Sequence, residues 1–167
     1  DFSNEHLIFD GIPITGKIDH LNIDDQNKLI DIYDFKTSTI SDRDKWHSKE
    51  SLYIYHFQLL FYRLLLKQSK FYHDYTVRSM NLLFTKPNRR ETLDHPDGKL
   101  HRLTLTEEDI AKDGLDFEDL IKAIYHQITT LDFLHSDSPL NLTDTDDATL
   151  ADIKNFCHQL IDLYKNS

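Results

Sequence analysis

Apolar and polar positions alternate through the first part of the chain and then recur at helical spacing, so the sequence reads as strands followed by a long helix. Residues 6–9 and 13–23 are predicted strands, the second region alternating Ile12, Ile14, Gly16 and Ile18 against Thr15, Lys17, Asp19 and Leu21. Asp10-Gly11 between them is a hairpin signal. Residues 28–37 are rich in β-branched and aromatic side chains, and the polar stretch 24–27 supplies a turn before them, which predicts two adjacent antiparallel strands. From Glu50 to Gln68, the residues Leu52, Tyr55, Leu59, Tyr62 and Leu66 fall at helical spacing without Gly or Pro, predicting a long helix. Residues 76–85 and 100–105 read as further strands, separated by a turn-rich insertion with Pro87, Pro96 and Gly98. Thr106 and the acids at 107–109 open a short turn, 117–133 is an amphipathic helix, and a C-terminal helix is expected over 147–165. The stretch 136–146, with Pro139, reads as irregular. The order predicts an α/β fold, a central mixed β-sheet flanked by helices, in a single domain over 1–167.

Composition narrows the function. No apolar run approaches the ~18 residues of a membrane span, and residues 1–10 lack the basic and apolar regions of a secretory signal, so a soluble, cytoplasmic protein is expected. The lone Cys157 excludes an internal disulfide and a cysteine-held zinc or iron-sulfur site, and is expected to be a small buried residue. Ten His residues show no metal-binding spacing and read as ordinary surface or interior side chains. The chain starts at Asp1 and its one Met is Met80, so it reads as a piece of a longer protein.

A net charge of -10 argues at first against a nucleic-acid partner. The distribution of that charge points the other way: residues 1–35 are net -6, residues 36–102 net +6, and residues 103–167 net -10. An acidic start beside a basic middle suits a carboxylate metal site next to a phosphate-binding surface, although the charge pattern taken alone favours chance segregation onto solvated faces.

Three features carry the chemistry: Gly16-Lys17-Ile18-Asp19, Asp34-Phe35-Lys36, and Gln58 with Tyr62 on the long helix. Adjacent strands bring Asp19 and Asp34 together, and positions i and i+2 of a strand share a face, so Asp34 and Lys36 point the same way. Converging carboxylates repel unless a cation joins them, and an all-oxygen set suits magnesium or manganese. A lysine beside such a pair can orient water and stabilise developing charge. Gln58 and Tyr62, four apart, lie on one helical face with Tyr55 a turn earlier. The bland reading of Asp19 and Asp34 is a pair of turn carboxylates at strand ends. Tyr53, Tyr55, Phe57, Phe61 and Tyr62 read as core under a helix packed on a sheet, with a base-stacking platform as the alternative.

The segments GKID at 16–19, IYDFKTST at 32–39 and YHFQLLFYRLLL at 55–66 resemble the PD-(D/E)XK nucleases, and within them the RecB-like branch found on helicase-nuclease proteins. That branch shows a G-x-x-D strand, a D-x-K-T strand end and a Q-x-x-x-Y helix in this order. The resemblance covers residues 5–66 well and the remainder in outline. It implies a restriction-endonuclease-like core, with Asp19 and Asp34 holding the metal, the Phe35 backbone carbonyl completing its inner shell and Lys36 positioning the attacking water. Gln58 and Tyr62 would contact DNA or brace the site.

Beyond the motifs, Thr37, Arg43, Lys45 and Arg63 are candidates for phosphate contacts, with Lys49, Lys67, Lys70, Arg89 and Arg90 in the same basic middle. The implied cofactor is Mg2+, with Mn2+ as a substitute and no iron-sulfur cluster, since relatives that carry one use four Cys. The family often adds an upstream Glu or His from a helix before the first strand; that helix is missing, and Glu5 and His6 are weak stand-ins.

The resemblance thus implies a metal-dependent deoxyribonuclease that hydrolyses phosphodiester bonds of single-stranded DNA in repair or recombination. Its implied partners are DNA and a superfamily 1 helicase domain earlier in the same parent chain, although the sequence itself holds no P-loop. The alternative is a catalytically silent DNA-binding or subunit-docking module with a nuclease-like fold.

Overall fold

The computed structural model describes residues 1–38, 50–86, 101–112, 114–130 and 149–166, which fall into two compact units, 1–107 and 108–167. In the first unit, β1 (Leu7–Phe9) and β2 (Ile12–Ile14) form an antiparallel hairpin with Leu7 opposite Ile14 and Phe9 opposite Ile12. Asp10 and Gly11 both take positive φ, 49° and 80°, as a two-residue primed turn requires. Alternation buries Leu7, Phe9, Ile12 and Ile14 and leaves Ile8 and Pro13 outside.

A second sheet holds β3 (His20–Asp24), β4 (Leu29–Lys36), β5 (Thr76–Phe84) and β6 (His101–Leu105) in that order. β4 and β5 run parallel, while the two outer pairs are antiparallel. The parallel step needs a crossover, and α1 (Glu50–Gln68) lies in it. This is the α/β class predicted from the sequence, a central mixed sheet flanked in this unit by α1.

The two faces of the sheet differ in chemistry. On the α1 side, Ile30 and Ile32 of β4 and Met80, Leu82 and Phe84 of β5 are buried, as are Leu59, Leu65 and Leu66 of α1. Each such side chain contributes about 1.5–3 kcal/mol of hydrophobic stabilisation. On the other side a polar ladder crosses all four strands. Asn22 and Ser79 donate to Asp31 at 3.4 and 2.7 Å, Asn81 donates to Ser79 at 2.8 Å, and Thr104 donates to Asn81 at 2.8 Å. Arg78 closes on Asp31 through two guanidinium nitrogens, Nε at 2.9 Å and one terminal nitrogen. A buried polar group needs such partners, and Asp31 and Asn81 are 5% and 1% exposed.

One expected strand is corrected. Residues 13–23 do not form a continuous strand but divide into β2 and β3, which belong to different sheets. Gly16 lies in the break, packed under α1 where an added Cβ would lie 2.6 Å from Leu65 Cδ1 and 3.6 Å from Phe61. A side chain there would force the Leu65 side chain to move, and the Phe2 N–H holds the Gly16 carbonyl at 3.0 Å. Asp19 therefore sits immediately before β3 instead of within a strand.

α2 (Glu107–Ala111) occupies the expected acidic turn, starting on the last residue of the first unit and continuing into the second. It is followed by α3 (Phe117–Thr130) and α4 (Leu150–Lys165). Thr149 caps α4 through a reciprocal box with Asp152, and the expected positions 147–148 and 131–133 lie outside the described residues. Lys165 pairs with Asp119 at 2.7 Å, the His126 and Tyr164 rings are 5.7 Å apart, and Leu120, Ala123, Cys157, Leu160 and Ile161 are buried. Among the described residues no helix is long and apolar enough to cross a membrane.

Candidate active site

The C-terminal end of β4 carries a cluster built by strand alternation. Ile30, Ile32, Asp34 and Lys36 share one face, so the strand changes from apolar to charged without leaving the α1 side. Asp34 is 2% exposed, and its Oδ2 lies 2.7 Å from Lys36 Nζ. The two pair as ions, yet Oδ2 takes no hydrogen bond of good angle.

From α1, Gln58 and Tyr62 meet this pair. Lys36 Nζ donates to Gln58 Oε1 at 2.7 Å, Gln58 Nε2 donates to the Tyr62 hydroxyl at 2.7 Å, and that hydroxyl donates to Asp34 Oδ1 at 3.0 Å. Four side chains thus form a closed ring of contacts. Their spacing explains it: the i, i+4 pair on α1 stands above the i, i+2 pair on β4. Burial, reinforced by the Asp34 charge and its hydrogen bond, pushes the Tyr62 phenol well above its ordinary pKa, so it remains a donor throughout the physiological range.

Tyr55 adds a fifth member that the motif reading did not assign. Lys36 Nζ lies 4.0 Å from the centroid of its ring, a cation–π contact. The signal was present, because Tyr55, Gln58 and Tyr62 fall at i, i+3 and i+7 on one helical stripe.

Asp19 approaches from the sheet edge. β3 begins at His20, opposite Tyr33, so the last residues of β4 extend past their neighbour. Asp19 Oδ2 takes the Phe35 N–H at 2.9 Å, which a longer β3 would otherwise occupy. A strand residue directs N–H and C=O to the same side. The Phe35 carbonyl therefore leaves β4 beside Asp19, while the Lys36 carbonyl on the opposite side accepts from Thr85 at 2.9 Å. The Asp19 charge also helps raise the Tyr62 pKa, which ties it electrostatically to the ring.

Other candidates fall elsewhere. Thr37 is exposed just beyond β4, and Arg63 pairs with Glu107 at 2.8 Å instead of joining the cluster. Arg43, Lys45, Lys49, Arg89 and Arg90 lie outside the described residues. The Glu5 carboxylate accepts from Ser69 Oγ and the Lys70 N–H at 2.9 and 3.1 Å, tying the N-terminal segment to the turn after α1. His6 is exposed beside β1.

Among the described residues no three His, Cys, Asp or Glu side chains converge as a metal cluster. The oxygen set of Asp34, Asp19 and the Phe35 carbonyl nevertheless suits a hard divalent cation, which commonly binds one or two carboxylates and fills its remaining positions with water and phosphate oxygens. Asp34 Oδ2, buried and ion-paired with the Lys36 ammonium at 2.7 Å, is where such a cation would bind, sharing the carboxylate with that ammonium.

Residues 2–138 match the family described as the PD-(D/E)XK nuclease superfamily. No curated protein and no solved structure matches the chain.

Proposed function

The chain belongs to the PD-(D/E)XK nuclease superfamily, and from that premise we propose that it is a magnesium-dependent deoxyribonuclease of the RecB-like branch. In this reading it hydrolyses phosphodiester bonds of single-stranded DNA during repair or recombination, within a cytoplasmic parent chain that also carries a helicase domain. The observation that supports it most is the closed ring of Asp34, Lys36, Gln58 and Tyr62 at the open end of β4.

Asp34, Asp19 and the Phe35 carbonyl would hold the cation. Bound there, magnesium or manganese supplies positive charge to the scissile phosphate and acidifies water. Lys36 hydrogen-bonds the attacking water and offsets negative charge that develops on the phosphate. Gln58 and the Tyr55 ring fix the Lys36 ammonium from two directions. Tyr62 holds the Asp34 carboxylate in one orientation by donating to Oδ1. Direct attack by water leaves no covalent enzyme intermediate.

The test is cleavage of labelled single- and double-stranded DNA with magnesium, manganese or EDTA, alongside Lys36→Ala. Metal-dependent cutting by the wild type that falls about 100- to 1,000-fold in the variant is the expected result. Cutting that survives in Lys36→Ala overturns the mechanism. DNA binding without cutting, in this chain and in its longer parent, identifies a silent module instead.

A further inference from the structure

We propose that the rings of His20, Tyr33 and Phe35 form a subsite that stacks an unpaired nucleobase of the strand being cut, an inference that rests on the nuclease reading above and adds a base-binding element to it. Alternation places Asp34 and Lys36 on the α1 side of β4 and Tyr33 and Phe35 on the opposite side. His20 stands across from Tyr33 in the β3–β4 register. The three rings therefore gather at one corner of the sheet, His20 lying 5.8 Å from Tyr33 and 6.5 Å from Phe35, with 52° between planes in both cases.

Rings at these separations are usual inside a core, yet His20 is exposed and Phe35 is 45% exposed. Phe35 is not on a loose end. Its N–H is held by Asp19 at 2.9 Å, and the next carbonyl is held by Thr85 at 2.9 Å. A rigid aromatic face presented to water is organised for a ligand with a π face of its own.

Three observations select a base over a protein. The aromatic patch adjoins polar positions, with the exposed Asn22 and the half-buried Ser79 and Thr104 on the same side of the sheet, whereas protein docking favours a broader apolar area. The patch adjoins the candidate active site through Phe35, whose N–H is held by Asp19 while its ring lies on the face opposite Asp34 and Lys36. Finally, Phe35 pairs with Leu83 and Leu83 with Arg102, so the exposed Arg102 lies on the same face two strand spacings away, about 10 Å, where it can meet a backbone phosphate. Stacking of this kind tolerates any base and requires that the base be unpaired.

The test uses a single-stranded oligonucleotide carrying 2-aminopurine, in EDTA so that no strand is cut. The expected result is quenched fluorescence on binding to the wild type. Phe35→Leu, which keeps the backbone N–H, and His20→Ala should each relieve the quench and weaken binding about 5- to 100-fold. Phe71→Ala, which removes a 70% exposed ring elsewhere, should leave both readouts unchanged. No quench with the wild type, unchanged binding in both patch variants, or an equal loss in Phe71→Ala overturns the subsite. Because this assay involves no cleavage, it separates the two ideas. Quenching without metal-dependent cutting sinks the nuclease reading alone, and cutting without quenching sinks the subsite alone.

Discussion

Asp31 and Asp34 lie three residues apart on β4, are almost equally buried, and have opposite surroundings. Asp31 faces the polar ladder and receives two guanidinium nitrogens of Arg78, the Ser79 hydroxyl and the Asn22 amide. Four donors fill the positions a carboxylate offers. Asp34 faces α1, where Tyr62 donates to one oxygen and Lys36 approaches the other without hydrogen-bond geometry. Burial alone does not distinguish a structural carboxylate from a reactive one. The partners differ: Asp31 accepts from four donors, whereas Asp34 Oδ2 faces the Lys36 ammonium at 2.7 Å, and in the proposed function a divalent cation shares that oxygen.

The largest expected effect breaks the symmetry directly. Asp34→Asn keeps the shape and the Tyr62 contact but removes the charge, and metal-dependent cleavage should fall about 100- to 1,000-fold with the circular dichroism spectrum unchanged. Asp31→Asn makes the same change three residues away on the other face and should cleave at the wild-type rate. Equal losses in the two variants would show that both carboxylates act only through the fold.

This contrast also measures what the sequence could reveal. Alternation in IYDFKTST was enough to put Asp34 and Lys36 on one face, and helical spacing was enough to put Gln58 and Tyr62 on another; the ring of contacts then needed only the parallel crossover that joins β4 to β5. The break around Gly16 was not legible, because nothing local marks it and the packing there involves Leu65 of α1, 49 positions later. Ile12, Ile14, Gly16 and Ile18 keep a period of two straight through a segment that changes sheets. Asp31 was passed over for a related reason. Its partners Arg78 and Ser79 come from β5, and an isolated acid in a strand gives no local sign that a distant guanidinium will meet it.

Smaller effects sharpen the same distinction. Asp31→Ala removes the acceptor for the ladder and for Arg78, and urea unfolding should show a loss of about 1–3 kcal/mol, the cost of breaking a buried hydrogen-bonded group whose partner is half-exposed. Cleavage per folded molecule should not change. Tyr62→Phe should lower both readouts, kcat about 10-fold by freeing Asp34 Oδ1 from its donor, and stability by about 1–3 kcal/mol because Asp34 Oδ1 and Gln58 Nε2 lose a buried partner. A Tyr62→Phe variant that loses stability and keeps kcat would place that hydroxyl among the structural groups.

The smallest effect is acid-dependent and belongs to the saturated carboxylate. The Arg78 hydrogen bonds, opposed by burial, hold the Asp31 carboxyl down to about 2 from an ordinary 3.8. A depressed folded pKa means that the unfolded chain takes up the proton first as pH falls. The stabilisation is therefore fully present above about pH 4 and disappears as pH drops through about 2. The shift corresponds to at most about 2.5 kcal/mol, reduced to about 1 kcal/mol because the Arg78 side chain is 49% exposed and screened by solvent. Urea unfolding of wild type and Asp31→Asn at pH 7, pH 4 and pH 2.5 checks it: the gap between the proteins should be constant from 7 to 4 and narrow below. A gap that stays constant to pH 2.5 would mean that the Arg78 pairing does not set the ionisation of Asp31.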